Sequence, residues 1–199
     1  RQGEIIQDLN SLPFVDYDIT GHYVYDWRSE NIVSIDKEIM RKQFLRLPYF
    51  KDRHLITYRT MTSRGCPHRC SYCASSAMMQ LRRRSVDNVI EELRLMLERF
   101  GYIELISFFD DTFFAAPVEY FEEFRDKYKS KIGLPFHAQC SPSTINKKKM
   151  QLLVDAGLYF TEMGIQTGSE KTKRLYRRVV SNQIILEAAA VINNYKSKM

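Results

Sequence analysis

The chain has 199 residues, of which 44% are hydrophobic and 27% charged, and its formal net charge is +6. This composition excludes a disordered tail, and no apolar run reaches the roughly 18 to 20 residues of a transmembrane helix. The length predicts a single domain. Basic residues are dispersed, and the two short basic runs at 82–84 and 147–149 are not interleaved with aromatic residues, so we do not expect a nucleic-acid partner.

The cysteine content predicts a reducing, cytoplasmic environment. Four cysteines, three of them between Cys66 and Cys73, do not make a disulfide framework for a chain of this length. The remote Cys140 is interpreted as a small buried hydrophobic residue. No signal-peptide pattern is present at the start. Because the sequence begins with Arg1, we expect it to be a piece of a longer chain.

The first 50 residues differ from the remainder of the chain. They contain the segments LPFVDYD and LRLPYF but lack sustained periodicity. We therefore predict that residues 1–50 are an extended lead-in or interdomain linker with one short helix over about 36–47. The catalytic domain is predicted over residues 51–199.

From residue 54 onward, strand-like and helix-like segments alternate four times. Short apolar runs predict strands over residues 54–62, 103–109, 134–140 and 158–166. Apolar residues at helical spacing predict four helices between and after these strands. The first begins at Ser85 and stops at Gly101, the second begins at Pro117 and stops at Gly133, the third begins at Ser143 or Thr144 and stops at Gly157, and the fourth covers 182–195. Such alternation predicts an α/β fold with a parallel sheet, either a barrel or an open doubly wound sheet.

Polar clusters follow each predicted strand at an equivalent point. The cysteine loop follows the first strand, Asp110 and Asp111 end the second, residues 137–141 end the third, and residues 166–169 end the fourth. The carboxyl ends of parallel strands meet at one rim, which is where such folds bind ligands. The topology therefore predicts a ligand site formed by these clusters.

The cysteine loop has the spacing C-x-x-x-C-x-x-C, formed by Cys66, Cys70 and Cys73. Structural zinc takes four closed ligands, usually from two separated C-x-x-C pairs, and the chain has no second pair. His68 could be a fourth ligand, but it lies between Cys66 and Cys70, and a loop this short cannot easily direct four side chains toward one metal ion. We therefore favour an iron–sulfur cluster over zinc and over a metal-free loop. Three cysteines leave one iron of a four-iron cluster open for chemistry.

The segment TSRGCPHRCSYC, with an aromatic residue before its last cysteine, resembles the cluster loop of the radical S-adenosylmethionine (SAM) enzymes. The arginine-rich segment before Ser85, FFDDTFF and MGIQTGSE are similar to the branch of that family whose members often carry an amino-terminal cobalamin-binding domain. The lead-in with LPFVDYD is similar to the linker between those two domains. These segments follow the family's order and cover most of the chain.

The resemblance implies that the three cysteines bind a 4Fe-4S cluster whose open iron chelates the amine and carboxylate of SAM. It implies that one electron cleaves the sulfur–carbon bond to the 5′ carbon, and that the 5′-deoxyadenosyl radical abstracts hydrogen from a substrate. The residues implied to hold SAM are Tyr72 beside the adenine, Asp110 or Asp111 at the methionyl amine, and Gln166, Thr167 and Ser169 at the ribose or carboxylate.

Three departures from the family limit what the resemblance implies. The Asp110-Asp111 pair replaces the usual Gly-Gly-Glu, which leaves open which carboxylate contacts the amine. The family barrel has six strand–helix units, so we predict a partial (β/α) barrel truncated after about four. The cobalamin signature Asp-x-His-x-x-Gly is also absent, because Asp52 and His54 are followed by Ile56 and Thr57 without the glycine.

We therefore predict a fragment of a radical SAM enzyme that acts in cobalamin-assisted methyl transfer or another C–H modification, with cobalamin bound through a domain outside this chain. A flavodoxin or ferredoxin is the expected electron donor, and the substrate is not predicted. The alternatives are a methylthiotransferase-like radical SAM enzyme and a zinc-stabilised binding module.

His137 and Gln139 lie on the third predicted strand, where we expect His137 to be a core histidine with its hydrogen bonds satisfied. Glu162, on the fourth, would need a partner if its side chain pointed into the barrel.

Overall fold

The computed structural model describes residues 4–49, 53–77 and 80–197. Its strands are Tyr23–Asp26 (β1), Asn31–Ser34 (β2), Leu45–Tyr49 (β3), Arg53–Thr60 (β4), Ser63–Arg64 (β5), Arg82–Arg83 (β6), Leu105–Phe108 (β7), Phe136–Cys140 (β8) and Leu158–Met163 (β9). Its α-helices are Lys37–Gln43 (α1), Val86–Arg99 (α2), Val118–Lys131 (α3), Lys147–Ala156 (α4), Glu170–Leu175 (α5) and Asn182–Asn193 (α6). Within those three segments, no helix combines the length and hydrophobicity needed to cross a membrane.

The central sheet has five strands in the order β3-β4-β7-β8-β9. Strands β4, β7, β8 and β9 are parallel, and β3 pairs antiparallel with β4 at one edge. Helices follow each parallel strand and cover one face of the sheet, as right-handed crossover connections require. The predicted partial (β/α) barrel with four strand–helix units is confirmed.

Strand alternation separates an apolar face from a polar face of this sheet. Ile106, Phe108, Phe136 and Ala138 point toward the helices and are buried in the main hydrophobic core. The ring of Phe108 lies 5.0 to 6.1 Å from four other aromatic rings, those of Phe113, Phe124, Tyr128 and Phe136. Such aromatic packing adds to the stabilisation that burial of this face provides.

Local sequence signals placed some helix ends correctly and one incorrectly. The Ser85 side chain caps α2 by accepting a hydrogen bond from Asn88 N, and Gly157 ends α4 in the left-handed conformation with φ 118°. The predicted cap of α4 at Ser143 or Thr144 is wrong, because those residues form the short 3₁₀ turn Pro142–Thr144. The cap is Asn146, whose side chain accepts from Lys149 N.

The lead-in has more regular structure than predicted. The helix expected over 36–47 ends at Gln43, and the chain continues into β3, which gains its hydrogen bonds from β4 rather than from the helix. Strands β1 and β2 form a separate antiparallel pair. Tyr17 and Phe44 pack on Phe100 of the core, with ring centroids 5.3 and 5.1 Å from it. The proposed domain boundary at residue 50 stays a prediction.

The last strand is shorter than predicted. We expected it to reach Gln166, but β9 ends at Met163, and Gln166 has a positive φ of 61° that a regular strand does not allow. A short helix that we did not predict, α5, follows. Gln166 therefore lies in the connection beyond the strand, on the rim of the barrel.

Neighbouring phenylalanines provide a test of the two faces. Phe108 is fully buried, whereas Phe109 points the other way and is 44% exposed. We expect Phe108→Ala to lower the free energy of unfolding by about 3–5 kcal/mol, because it leaves a cavity in the aromatic core. Phe109→Ala should cost about 1 kcal/mol or less. Urea denaturation measures both, and equal losses would contradict the assignment of faces.

Candidate active site

A buried carboxylate holds the beginning of the cysteine loop. Asp110, two residues beyond the end of β7, accepts hydrogen bonds from the Thr62 backbone N at 3.0 Å, from Thr62 Oγ1 at 2.7 Å, and from Ser63 Oγ. Burial raises the pKa of Asp110, and these hydrogen bonds act against that increase. The loop is therefore tied to the neighbouring strand four residues before its first cysteine.

The far side of the loop is hydrogen-bonded to the carboxyl end of α5. The Ser71 backbone N donates to Tyr176 O at 3.0 Å, and Ser71 Oγ donates to Leu175 O at 2.8 Å. The rings of Tyr72 and Tyr176 meet edge to face at 4.9 Å. Contacts from two distant parts of the chain thus hold the loop across the rim of the barrel.

The three cysteines line a single cavity of about 380 Å³, as the spacing of the motif predicts. The carboxyl ends of β7, β8 and β9 contribute Asp111, Gln139, Glu162 and Gln166 to its wall, and further lining residues come from the cysteine loop and from the segment after α5. Burial raises the pKa of the Cys66 thiol, and the nearby Asp111 carboxylate and the other two thiols raise it further. The predicted convergence of loop and strand ends on one rim is therefore present in the structure.

The residues predicted to hold SAM fall into two groups. Tyr72, Asp111 and Gln166 line the cavity with the cysteines. Asp110 does not line it, because its carboxylate is used to anchor the cysteine loop. Ser169 does not line it either, since its side chain caps α5 by accepting from Thr172 N. Their roles toward SAM stay predictions.

Arg178 is a site residue that the sequence analysis missed. Its Nη1 lies 3.6 Å from Cys70 Sγ, and its Nη2 donates to Gly164 O at 2.6 Å and to Ser141 Oγ at 3.4 Å. A guanidinium at this position places a positive charge against one of the three thiols. No local pattern distinguishes Arg178 from the adjacent Arg177, so only the fold identifies it.

The donor set fits a cluster of several iron ions. Within residues 4–49, 53–77 and 80–197, no three His, Cys, Asp or Glu side chains converge closely enough for a single metal ion. Thiolates are the ligands that iron–sulfur clusters take, and Cys66, Cys70 and Cys73 all line one cavity. The kind and number of these donors therefore fit a 4Fe-4S cluster with three protein ligands.

The model of the family described as "Radical SAM superfamily" matches residues 60–198 of the chain. The chain therefore belongs to the radical SAM superfamily, a family of enzymes that use a 4Fe-4S cluster and SAM. The family predicted from the cysteine loop is confirmed.

The curated relatives of the chain include methyltransferases. The chain is 28% identical over 137 residues to "Uncharacterized methyltransferase PH0819" of Pyrococcus horikoshii, covering 68% of this chain and 30% of that protein. It is 27% identical over 143 residues to bacteriochlorophyllide d C-12(1)-methyltransferase of Chlorobaculum tepidum, covering 70% and 31%. The chain thus spans less than a third of the length of these relatives.

Two solved structures share the fold. The cobalamin-dependent radical SAM enzyme OxsB, with aqua-cobalamin and SAM bound, matches with a TM-score of 0.59 and 16% identity over 68% of this chain and 22% of that one. The radical SAM methyltransferase TsrM from Kitasatospora setae, with cobalamin and a 4Fe-4S cluster bound, matches with a TM-score of 0.61 and 14% identity over 71% and 29%. At these identities the likeness shows the fold, which is the predicted one.

The adjacent aspartates allow their two positions to be tested separately. We expect Asp110→Asn to lower the free energy of unfolding by about 2–3 kcal/mol, because an amide nitrogen would face buried donors. Asp111→Asn should change it by about 0.5 kcal/mol or less, since Asp111 lies on the cavity wall. Urea denaturation of both variants measures these changes. A larger loss of unfolding free energy in Asp111→Asn than in Asp110→Asn would contradict the assignment of Asp110 as the residue that anchors the loop.

Proposed function

We propose that this chain is the cluster-binding part of a radical SAM enzyme that generates a 5′-deoxyadenosyl radical and serves methyl transfer, with cobalamin bound through a domain outside this chain. The observation that carries the proposal is the placement of Cys66, Cys70 and Cys73 on one cavity at the rim of a half-barrel. The names of the curated relatives support methyl transfer as the outcome.

Different residues of the cavity wall bind the cluster and SAM in this proposal. The three cysteines bind the cluster through their thiolates, and Tyr72 supports the adenine. Asp111, rather than Asp110, receives the methionyl amine, because both oxygens of Asp110 already accept hydrogen bonds from the loop. When bound, the cluster and SAM together supply the one-electron cleavage that yields the radical.

The remaining polar residues of the rim orient the cofactor. Gln166, with its side chain on the cavity wall, contacts the ribose or carboxylate. Ser169 acts indirectly, through the helix that it caps. Arg178 offsets the negative charge of the thiolates, since its guanidinium lies beside Cys70. Electrons arrive from a small acidic donor such as a flavodoxin or ferredoxin, which the net charge of +6 favours electrostatically.

Anaerobic reconstitution tests the cluster directly. With iron and sulfide supplied, we expect the chain to bind about four irons and four sulfides, the stoichiometry of the cluster type with three cysteine ligands. Cys73→Ala should lose the cluster and, in the full-length protein, the reductive cleavage of SAM. Cys140→Ala is the matched control, because Cys140 is a buried thiol on the same cavity wall that the motif does not include.

Two outcomes would contradict this assignment. Zinc without sulfide in the purified protein would favour a zinc-stabilised module instead. Equal loss of iron in Cys140→Ala and Cys73→Ala would show that the motif does not define the ligands.

The role of Arg178 has a separate readout in the reduction potential of the loaded cluster. We expect Arg178→Gln to lower the midpoint potential by tens of millivolts, because removing a nearby positive charge makes reduction harder. Arg177→Gln, one residue away, should leave the potential unchanged. Redox titration followed by electron paramagnetic resonance checks both variants, and identical potentials in all three proteins would refute the role.

A further inference from the structure

The polar face of the sheet carries a group of side chains apart from the cysteines. The strand register aligns Arg59 of β4 with Ser107 of β7, Ser107 with His137 of β8, and His137 with Phe160 of β9. Two residues further along each strand, toward the rim, Gln139 is aligned with Glu162. These residues face away from the helices, toward the interior of the half-barrel.

Contacts among these residues place His137 next to Glu162. Ser107 Oγ lies 3.0 Å from His137 Nδ1, and the His137 ring stacks on Phe160 at 4.7 Å. Burial lowers the pKa of His137, which keeps the ring neutral near pH 7. With Ser107 donating to Nδ1, the proton of the neutral ring is assigned to Nε2. Nε2 is buried without a hydrogen-bond partner among the described residues and faces Glu162 Oε2 at 3.6 Å.

One oxygen of Glu162 remains available. Gln139 Nε2 donates to Oε2 at 3.0 Å, and His137 faces the same oxygen. Among the described residues, none donates a hydrogen bond to Oε1, and no lysine or arginine lies within 4.0 Å of the carboxylate. The side chain is 54% exposed and lines the same cavity as the three cysteines.

This arrangement selects the charge of a ligand. A carboxylate that is held by neutral partners in a concave site keeps its negative charge and favours a cationic donor. Phe160, two residues before Glu162 on the same face of β9, stacks on His137 and is still 38% exposed, so it offers apolar surface at the margin of the cavity. The site therefore fits a protonated amine attached to an apolar body.

We propose that Glu162 is a substrate-binding residue that accepts a hydrogen bond at Oε1 from the ammonium group of an amine substrate. Gln139 and His137 are positioning residues, Gln139 through its hydrogen bond to Oε2 and His137 through the nearby Nε2–H, which faces the same oxygen. This inference rests on the proposed function, because the radical formed at the cysteine end of the cavity would then act on a substrate anchored at the Glu162 end.

Binding of three small probes to the full chain tests the anchor without requiring turnover. The probes are benzylammonium, benzyl alcohol and benzoate, followed by ligand-observed NMR. We expect benzylammonium to bind more tightly than the other two. Glu162→Gln should weaken its binding about tenfold, the effect of losing a charge-assisted hydrogen bond. The matched control is Glu170→Gln, at an exposed carboxylate paired with Lys173, which should leave binding unchanged.

The positioning role of His137 is tested by two further variants. His137→Gln keeps an N–H group that can reach Glu162, and it should retain the preference for benzylammonium over benzyl alcohol. His137→Leu should lose most of that preference while its circular dichroism stays native. Equal behaviour of the two variants would assign His137 to packing alone and overturn its role.

Several results would overturn the anchor itself: no detectable benzylammonium binding, benzoate binding as tightly, or no change in Glu162→Gln. Iron and sulfide content measured on the same preparations distinguishes this failure from failure of the proposed function. A chain that loads the cluster but does not prefer benzylammonium refutes only the anchor. A chain that prefers benzylammonium but cannot load the cluster refutes the proposed function.

Discussion

The cysteine site depends on the buried carboxylate of Asp110. It joins the end of β7 to Thr62 and Ser63, which lie just before the cysteine loop, through three hydrogen bonds. Ser71 ties the far side of the loop to the carboxyl end of α5. A short loop fixed at both sides has few conformations left, so three thiols can face one cavity before any cofactor binds, which is the preorganisation that a cluster site needs.

The alternation of β-strands separates stability from chemistry in this fold. Phe108 and Phe109 are neighbours, yet one is in the aromatic core and the other faces the open side of the sheet. The next two residues are divided in a similar way, since Asp110 secures the loop and Asp111 lines the cavity. A strand and the turn after it can therefore supply both a rigid support and a reactive wall.

Membership of the radical SAM superfamily explains the shared rim but does not define the substrate. OxsB and TsrM share this fold at 16% and 14% identity, so the barrel persists while most side chains differ. Function in such folds is determined by residues placed on a common scaffold. In this chain the polar face beneath the rim, where Gln139 is hydrogen-bonded to Glu162 and His137 faces it, is where we place substrate selection.

The sequence by itself determined the features that local chemistry specifies: the spacing of Cys66, Cys70 and Cys73, the alternation of strands and helices, and the helix ends at Ser85 and Gly157. Each depends on residues within a turn or two along the chain. Only the tertiary structure decided that Asp110 anchors the loop while Asp111 lines the cavity, that Arg178 lies beside Cys70, and that β3 pairs with β4. Their partners lie far away in sequence, as with Thr62 and Asp110, 48 residues apart, so no local pattern could reveal them.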